Sequence, residues 1–120
     1  MHYMKLFAVP FARMKSGEKN IEFRLYDEKR QKVESGDYIT FKNVDTGEEL
    51  IAKCIDLYRA DTFQELFENL YVESKTNRKG NISPREMSEK MREYYSEENE
   101  RKYGVLGIKI KVLQDETDSH

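Results

Sequence analysis

From Asn20 to Tyr26 the chain alternates strictly. Ile21, Phe23 and Leu25 fall on one side, and Asn20, Glu22, Arg24 and Tyr26 on the other. That is the period-two pattern of a strand with one apolar face. The alternation returns at Tyr38 to Asn43, with Ile39 and Phe41 inward and Tyr38, Thr40 and Lys42 outward. It returns again from Val105 to Leu113, where Leu106, Ile108, Ile110 and Val112 face in and Lys109 and Lys111 face out. From about Glu48 to Tyr58 both sides are apolar: Leu50, Ala52 and Cys54 on one, Ile51, Ile55 and Leu57 on the other. This predicts a central or strongly curved strand. His2 to Phe7 reads as a short strand.

Helical spacing separates these strands. Pro10 opens a short helix with Phe11 and Met14 on one face, and Gly17 stops it. Thr62 and Glu65 form a capping box ahead of Phe63, Leu66, Phe67 and Leu70, one buried stripe. Ser83 caps a second helix with Pro84 at its first position, Glu86 completing the box, and Ile82 stapled to Met87. Met87, Met91, Tyr94 and Tyr95 continue it as a packing stripe, from which one tyrosine hydroxyl could reach a site. Ser96 caps a further short helix, with Glu97 and Glu98 at its start, Arg101 and Lys102 at its end, and Gly104 closing it. Residues 27–37 are turn-rich, and Asp45-Thr46-Gly47 is a hairpin turn. Residues 71–81 lack periodicity and read as a mobile loop, basic through Lys75, Arg78 and Lys79. Residues 114–120 read as a disordered tail. Short turns predict mostly antiparallel pairing. The expected fold is α+β: one domain over residues 1–113, built as a small barrel of about five to six strands flanked by three to four short helices, since closure removes exposed edges.

Composition narrows the function. The 120 residues carry 21 Lys and Arg against 23 Asp and Glu, a formal net charge of −2. A protein that coats long duplex nucleic acid would be strongly basic, so long duplex DNA is not an expected partner. No apolar run approaches about 18 residues, so no membrane span is expected. The opening Met-His-Tyr-Met-Lys-Leu-Phe lacks a signal-peptide layout, and a lone Cys54 fits a reducing cytoplasm. His2 and His120 lie at opposite ends, so no metal site and no cofactor is expected. Cys54 reads as a small core residue.

The stretch richest in candidate chemistry is Ser16 to Asp37. Glu22 and Arg24 share the outward face of the strand, Lys19 stands at its entrance, and the basic turn Lys29-Arg30-Gln31-Lys32 follows. The plainest reading is an exposed face with ordinary ion pairs, worth little to stability.

The same residues carry a family resemblance. Ser16-Gly-Glu-Lys-Asn-Ile-Glu-Phe-Arg-Leu25 resembles the G-x-K-x-x-E-x-R segment of the ASCH domain family (activating signal cointegrator homology), a branch of the PUA-like barrels. Val33-Glu-Ser-Gly-Asp-Tyr-Ile-Thr-Phe41 resembles its I-x-x-G-D-x-I-x-F turn. Tyr94-Tyr95 and Lys102-Tyr-Gly-Val-Leu-Gly-Ile-Lys-Ile110 are similar to its last helix and strand. The resemblance implies a PUA-like barrel whose cleft, lined by Lys19, Glu22 and Arg24, takes RNA or a modified nucleoside or nucleotide. Some small members remove the acetyl group from N(4)-acetylcytidine with a K-T-x-T-x-R motif. Here Lys19 and Arg24 match, but Glu22 stands where the catalytic threonine belongs, and no downstream glutamate is assigned.

Two mechanisms follow. In a binding module, Arg24 holds a phosphate or base edge. Lys19 and the turn at Lys29 and Arg30 supply charge, Tyr26 or Tyr38 stacks a base, and Glu22 accepts from an exocyclic amine. In a metal-independent hydrolase, like the amidohydrolases or a ribonuclease, Glu22 is the general base and Lys19 a catalytic cation. A carboxylate between two cations is a weak base unless it is buried, which counts modestly against the second. The third reading is that the face only stabilises the barrel.

Overall fold

The computed structural model describes residues 1–71 and 82–113. The expected loop at 71–81 lies, apart from Tyr71, outside the described residues, as does the expected tail at 114–120. Among the described residues five strands form, in chain order, β1 (His2–Leu6), β2 (Ile21–Leu25), β3 (Tyr38–Asn43), β4 (Glu49–Ala60) and β5 (Val105–Val112). Four α-helices among the described residues join them: α1 (Ala8–Lys15), α2 (Phe63–Asn69), α3 (Pro84–Lys90) and α4 (Glu97–Tyr103). The predicted caps form. The Thr62, Ser83 and Ser96 hydroxyl oxygens accept the backbone N–H of Glu65, Glu86 and Asn99. Helix α1 starts earlier than predicted, at Ala8, with Pro10 in its first turn, where the missing N–H removes no helical bond.

The strands lie in the order β1-β3-β4-β5-β2. Three pairings are antiparallel, but β1 and β3 run parallel, because α1 and β2 carry the chain away and back between them. The expectation of a closed barrel is corrected too: β1 and β2 are unpaired edges, so closure is only partial. A flat sheet would hold these edges about 19 Å apart, yet the Arg24 guanidinium on β2 donates to the Lys5 carbonyl on β1 at 2.7 Å. The sheet therefore curls into a half-barrel, and one side chain bridges its open seam.

Two apolar clusters fill the fold. Inside the curl, Met4 and Leu6 of β1, Phe11 and Met14 of α1, Ile39, Phe41, Ala52, Cys54, Leu106, Ile108 and Ile110 pack together. Burial pushes the Cys54 thiol up to about 11, as suits a core residue. On the outer face Ile21, Phe23 and Leu25 pack against Phe63, Leu66, Phe67 and Leu70 of α2 and Met87 of α3. Strand β5 serves both clusters. A bulge between Cys54 and Asp56 shifts the register of β4, so Leu57 turns to the inner cluster while Ile51 and Ile55 stay exposed.

One buried carboxylate ties the helices together. Glu100 of α4, only 2 % exposed, accepts the Phe63 backbone N–H at the first position of α2, at 2.7 Å, and pairs through its other oxygen with Arg92. Glu100→Ala is expected to lower stability by about 1–3 kcal/mol, the usual cost of orphaning a buried donor. Urea unfolding at neutral pH checks this; an unchanged midpoint would mean that water takes over the Phe63 N–H.

Candidate functional site

Lys19, Glu22 and Arg24 meet at the seam. The end of α1 sets the first of them. Gly17 takes φ +86°, a left-handed conformation natural to glycine, and the turn closes with the Lys19 N–H on the Arg13 carbonyl at 2.9 Å. The Lys19 ammonium then reaches the Ile21 carbonyl at 2.8 Å, lies 3.2 Å from Glu22 Oε1, and sits 5.4 Å from the Phe23 ring centroid. Strand β2 sets the other two. Glu22 and Arg24 pair across from Ile108 and Leu106, so both point to the inner side of the curl while Ile21, Phe23 and Leu25 point to the helices.

The result is a buried ion triad, not the exposed face that alternation predicts. Glu22 is 5 % exposed. Its Oε1 faces Lys19 and accepts the Phe23 N–H at 3.3 Å. Its Oε2 accepts from Arg24 Nε at 2.9 Å and lies 2.8 Å from Arg24 Nη2. Burial alone would raise the Glu22 pKa. Lys19 and Arg24 outweigh it and hold the carboxyl below its ordinary value of 4.5. Burial likewise opposes the charge on Arg24, and Glu22 overcomes it, leaving the guanidinium more firmly protonated. Nη1 is the end of the guanidinium that these bonds leave uncommitted.

A cleft of about 380 Å³ opens over the triad. Its polar wall is Lys5, Arg13, Lys19, Glu22 and Arg24, four cations to one carboxylate; Arg13 also lies 3.5 Å from Glu18. Its apolar wall is β1, the start of α1, and Met91, Tyr94 and Tyr95 beyond α3. The last two follow a 3-10 turn at Met91–Glu93 and both donate their backbone N–H to the Met91 carbonyl. Tyr95 stacks on Phe63, centroids 5.6 Å apart. Burial raises its hydroxyl pKa, with the Arg24 charge working against that. Among the described residues no three His, Cys, Asp or Glu side chains converge as a metal cluster would require, and no helix is long and apolar enough to cross a membrane.

Residues 4–114 match the ASCH domain. The chain belongs to the ASCH domain family. Two solved structures agree. The crystal structure of hypothetical protein PH0355 is 34 % identical, with a TM-score of 0.80 over 94 % of this chain and 100 % of that one. The solution NMR structure of protein PF0455 from Pyrococcus furiosus is 33 % identical, with a TM-score of 0.71 over 95 % of this chain and 98 % of that one. No curated protein matches the chain.

Of the residues singled out by sequence, this ASCH domain brings Lys19, Glu22 and Arg24 together and leaves the others off the cleft wall. Tyr26 is covered by the Arg59 guanidinium, 3.8 Å from its ring centroid, and packs on the inner cluster. Lys29 is exposed beside a second 3-10 turn at Arg30–Lys32, and Arg30 lies 3.5 Å from Asp27. Tyr38 starts β3 opposite Lys53 and is exposed. Conversely, Phe7, Tyr94 and Tyr95 line the cleft, of which the pattern offers a site no more than one tyrosine hydroxyl. Tyr94 and Tyr95 carried a signal, adjacent tyrosines after a helix stripe. Phe7, between β1 and α1, carried none.

Proposed function

We propose that this ASCH domain binds a single-stranded RNA segment or a modified nucleoside or nucleotide in the cleft around Lys19, Glu22 and Arg24. The observation that carries the reading is the triad itself: a guanidinium and an ammonium locked on one buried carboxylate, with a net positive charge, at the floor of a cleft sized for one small ligand. Preorganised cations in a partly desolvated site suit a phosphate or an electron-rich base edge. The cleft volume lies near the small end of ligand sites, which favours one unpaired nucleotide over a duplex. Lys29 and Arg30 then contribute only longer-range charge.

The same geometry weighs against the hydrolase reading. A general base works best with a pKa near the operating pH. Glu22 is shifted the other way, and both of its oxygens are engaged. In the binding reading that carboxylate holds its two cations in place.

The test is an amide-shift NMR titration with a short single-stranded RNA and, separately, with N(4)-acetylcytidine, each followed for hours. Shifts centred on residues 5–10, 19–24 and 91–95 without new ligand signals support binding. Appearance of acetate or cleaved RNA makes the domain an enzyme. Absence of shifts with both ligands overturns the reading.

A further inference from the structure

The outer mouth of the cleft is aromatic. Phe7 is 58 % and Tyr94 55 % exposed, although both are large rings. Their centroids lie 6.1 Å apart with planes tilted by 32°. Each stands on fixed backbone. Phe7 is the N-cap residue of α1, its carbonyl accepting the Phe11 N–H at 3.0 Å, and Tyr94 closes the 3-10 turn on Met91. Behind them the aromatic series continues inward through Tyr95 and Phe63 to Phe67 and Phe23. The inner members are core. The outer two contribute little burial, yet they are held side by side at the rim of a cationic cleft.

We infer that Phe7 and Tyr94 form the stacking surface for one unpaired nucleobase, whose sugar-phosphate is drawn to the cations below. The inference rests on the proposed nucleic-acid reading and adds the base-recognition element that the Lys19, Glu22 and Arg24 triad lacks. An aromatic face accepts any base, because every base has a π-face, and it requires that the base be unpaired. The pairing of an exposed aromatic rim with a cationic floor is the combination that single-stranded nucleic acid needs, and an apolar peptide would leave the cations unanswered. Recognition here is therefore of an unpaired nucleotide with little preference for base identity at the rim. Tyr26 and Tyr38 are not needed for it.

The full chain is titrated with a short single-stranded RNA carrying one central 2-aminopurine, whose emission falls when the base stacks. Phe7→Leu and Tyr94→Leu keep apolar bulk but remove the ring, and both sites are exposed enough that far-UV circular dichroism should be unchanged. The expected result is quenching with wild type and with Tyr94→Phe. Each leucine variant loses the quench and weakens binding roughly 5- to 100-fold. If both leucine variants quench and bind as wild type while Arg24→Ala abolishes binding, the stacking inference is overturned and the cleft reading stands. If RNA neither quenches nor binds with wild type, the stacking inference is overturned, and the cleft reading falls with it only where N(4)-acetylcytidine also leaves the amide shifts unmoved.

Discussion

Replacing Glu22 with alanine is expected to lower the unfolding free energy by about 3–5 kcal/mol at neutral pH, the loss seen when one partner of a buried ion pair is removed. The reason is local. Side-chain exposure is 11 % for Lys19 and 14 % for Arg24, and Glu22 is the shared counter-charge of both. Without it two cations face each other in a half-buried seam. The same carboxylate gives the domain an acid-sensitive element. Its folded pKa is depressed, so the stability it contributes is present above its ordinary value of 4.5 and is lost as pH falls through the lower folded value. Urea midpoints measured from pH 7 downward should therefore fall in wild type below about pH 4.5. Glu22→Gln cannot titrate, so it should start lower and show less of that acid loss. A change under about 1 kcal/mol on Glu22→Ala would mean that the triad is solvated like a surface pair.

Most of the architecture was legible because each element has its own local signal. The three hydroxyl caps, the α2 stripe and the alternation of β2, β3 and β5 all appear where the pattern puts them. What was hidden depends on contacts distant in sequence. Alternation assigns Glu22 and Arg24 to the polar face of β2 but cannot say that this face turns into a seam. That follows from β1 reaching β2's side of the curl, a contact between residues 5 and 24. The parallel β1–β3 pairing was masked by the short turns elsewhere, since only the crossover through α1 and β2 reveals it. The stripe Met87, Met91, Tyr94 and Tyr95 reads as one helix face. Helix α3 stops at Lys90 and passes into a 3-10 turn, whose different angle per residue splits the stripe. Met87 goes to the core, Tyr95 to the inner wall of the cleft, and Tyr94 to its exposed rim.

Whether the triad exists for stability or for a ligand can be separated by removing all of its charges at once. The variant carrying Lys19→Met, Glu22→Leu and Arg24→Met keeps comparable apolar volume and leaves no uncompensated ion. Buried ion clusters replaced in this way are commonly as stable as the original or more so, because the desolvation cost of the charges disappears with their attraction. The triple variant is therefore expected to unfold within about 1 kcal/mol of wild type or above it, far above Glu22→Ala, although it contains a change at the same position. That non-additivity is what shared partners require. The exposed Lys5 loses only the Arg24 donor at its carbonyl, which water can supply. Binding should behave in the opposite way. With no cations left on the triad, affinity for a short single-stranded RNA should fall by at least about tenfold, as the loss of charge-assisted contacts worth about 1.5–3 kcal/mol each implies. A triple variant as unstable as Glu22→Ala would assign the triad to closing the half-barrel. One that is stable and still binds RNA at full strength would move the site away from this cleft. A stable variant that no longer binds would show that the charges are kept at the seam for the ligand.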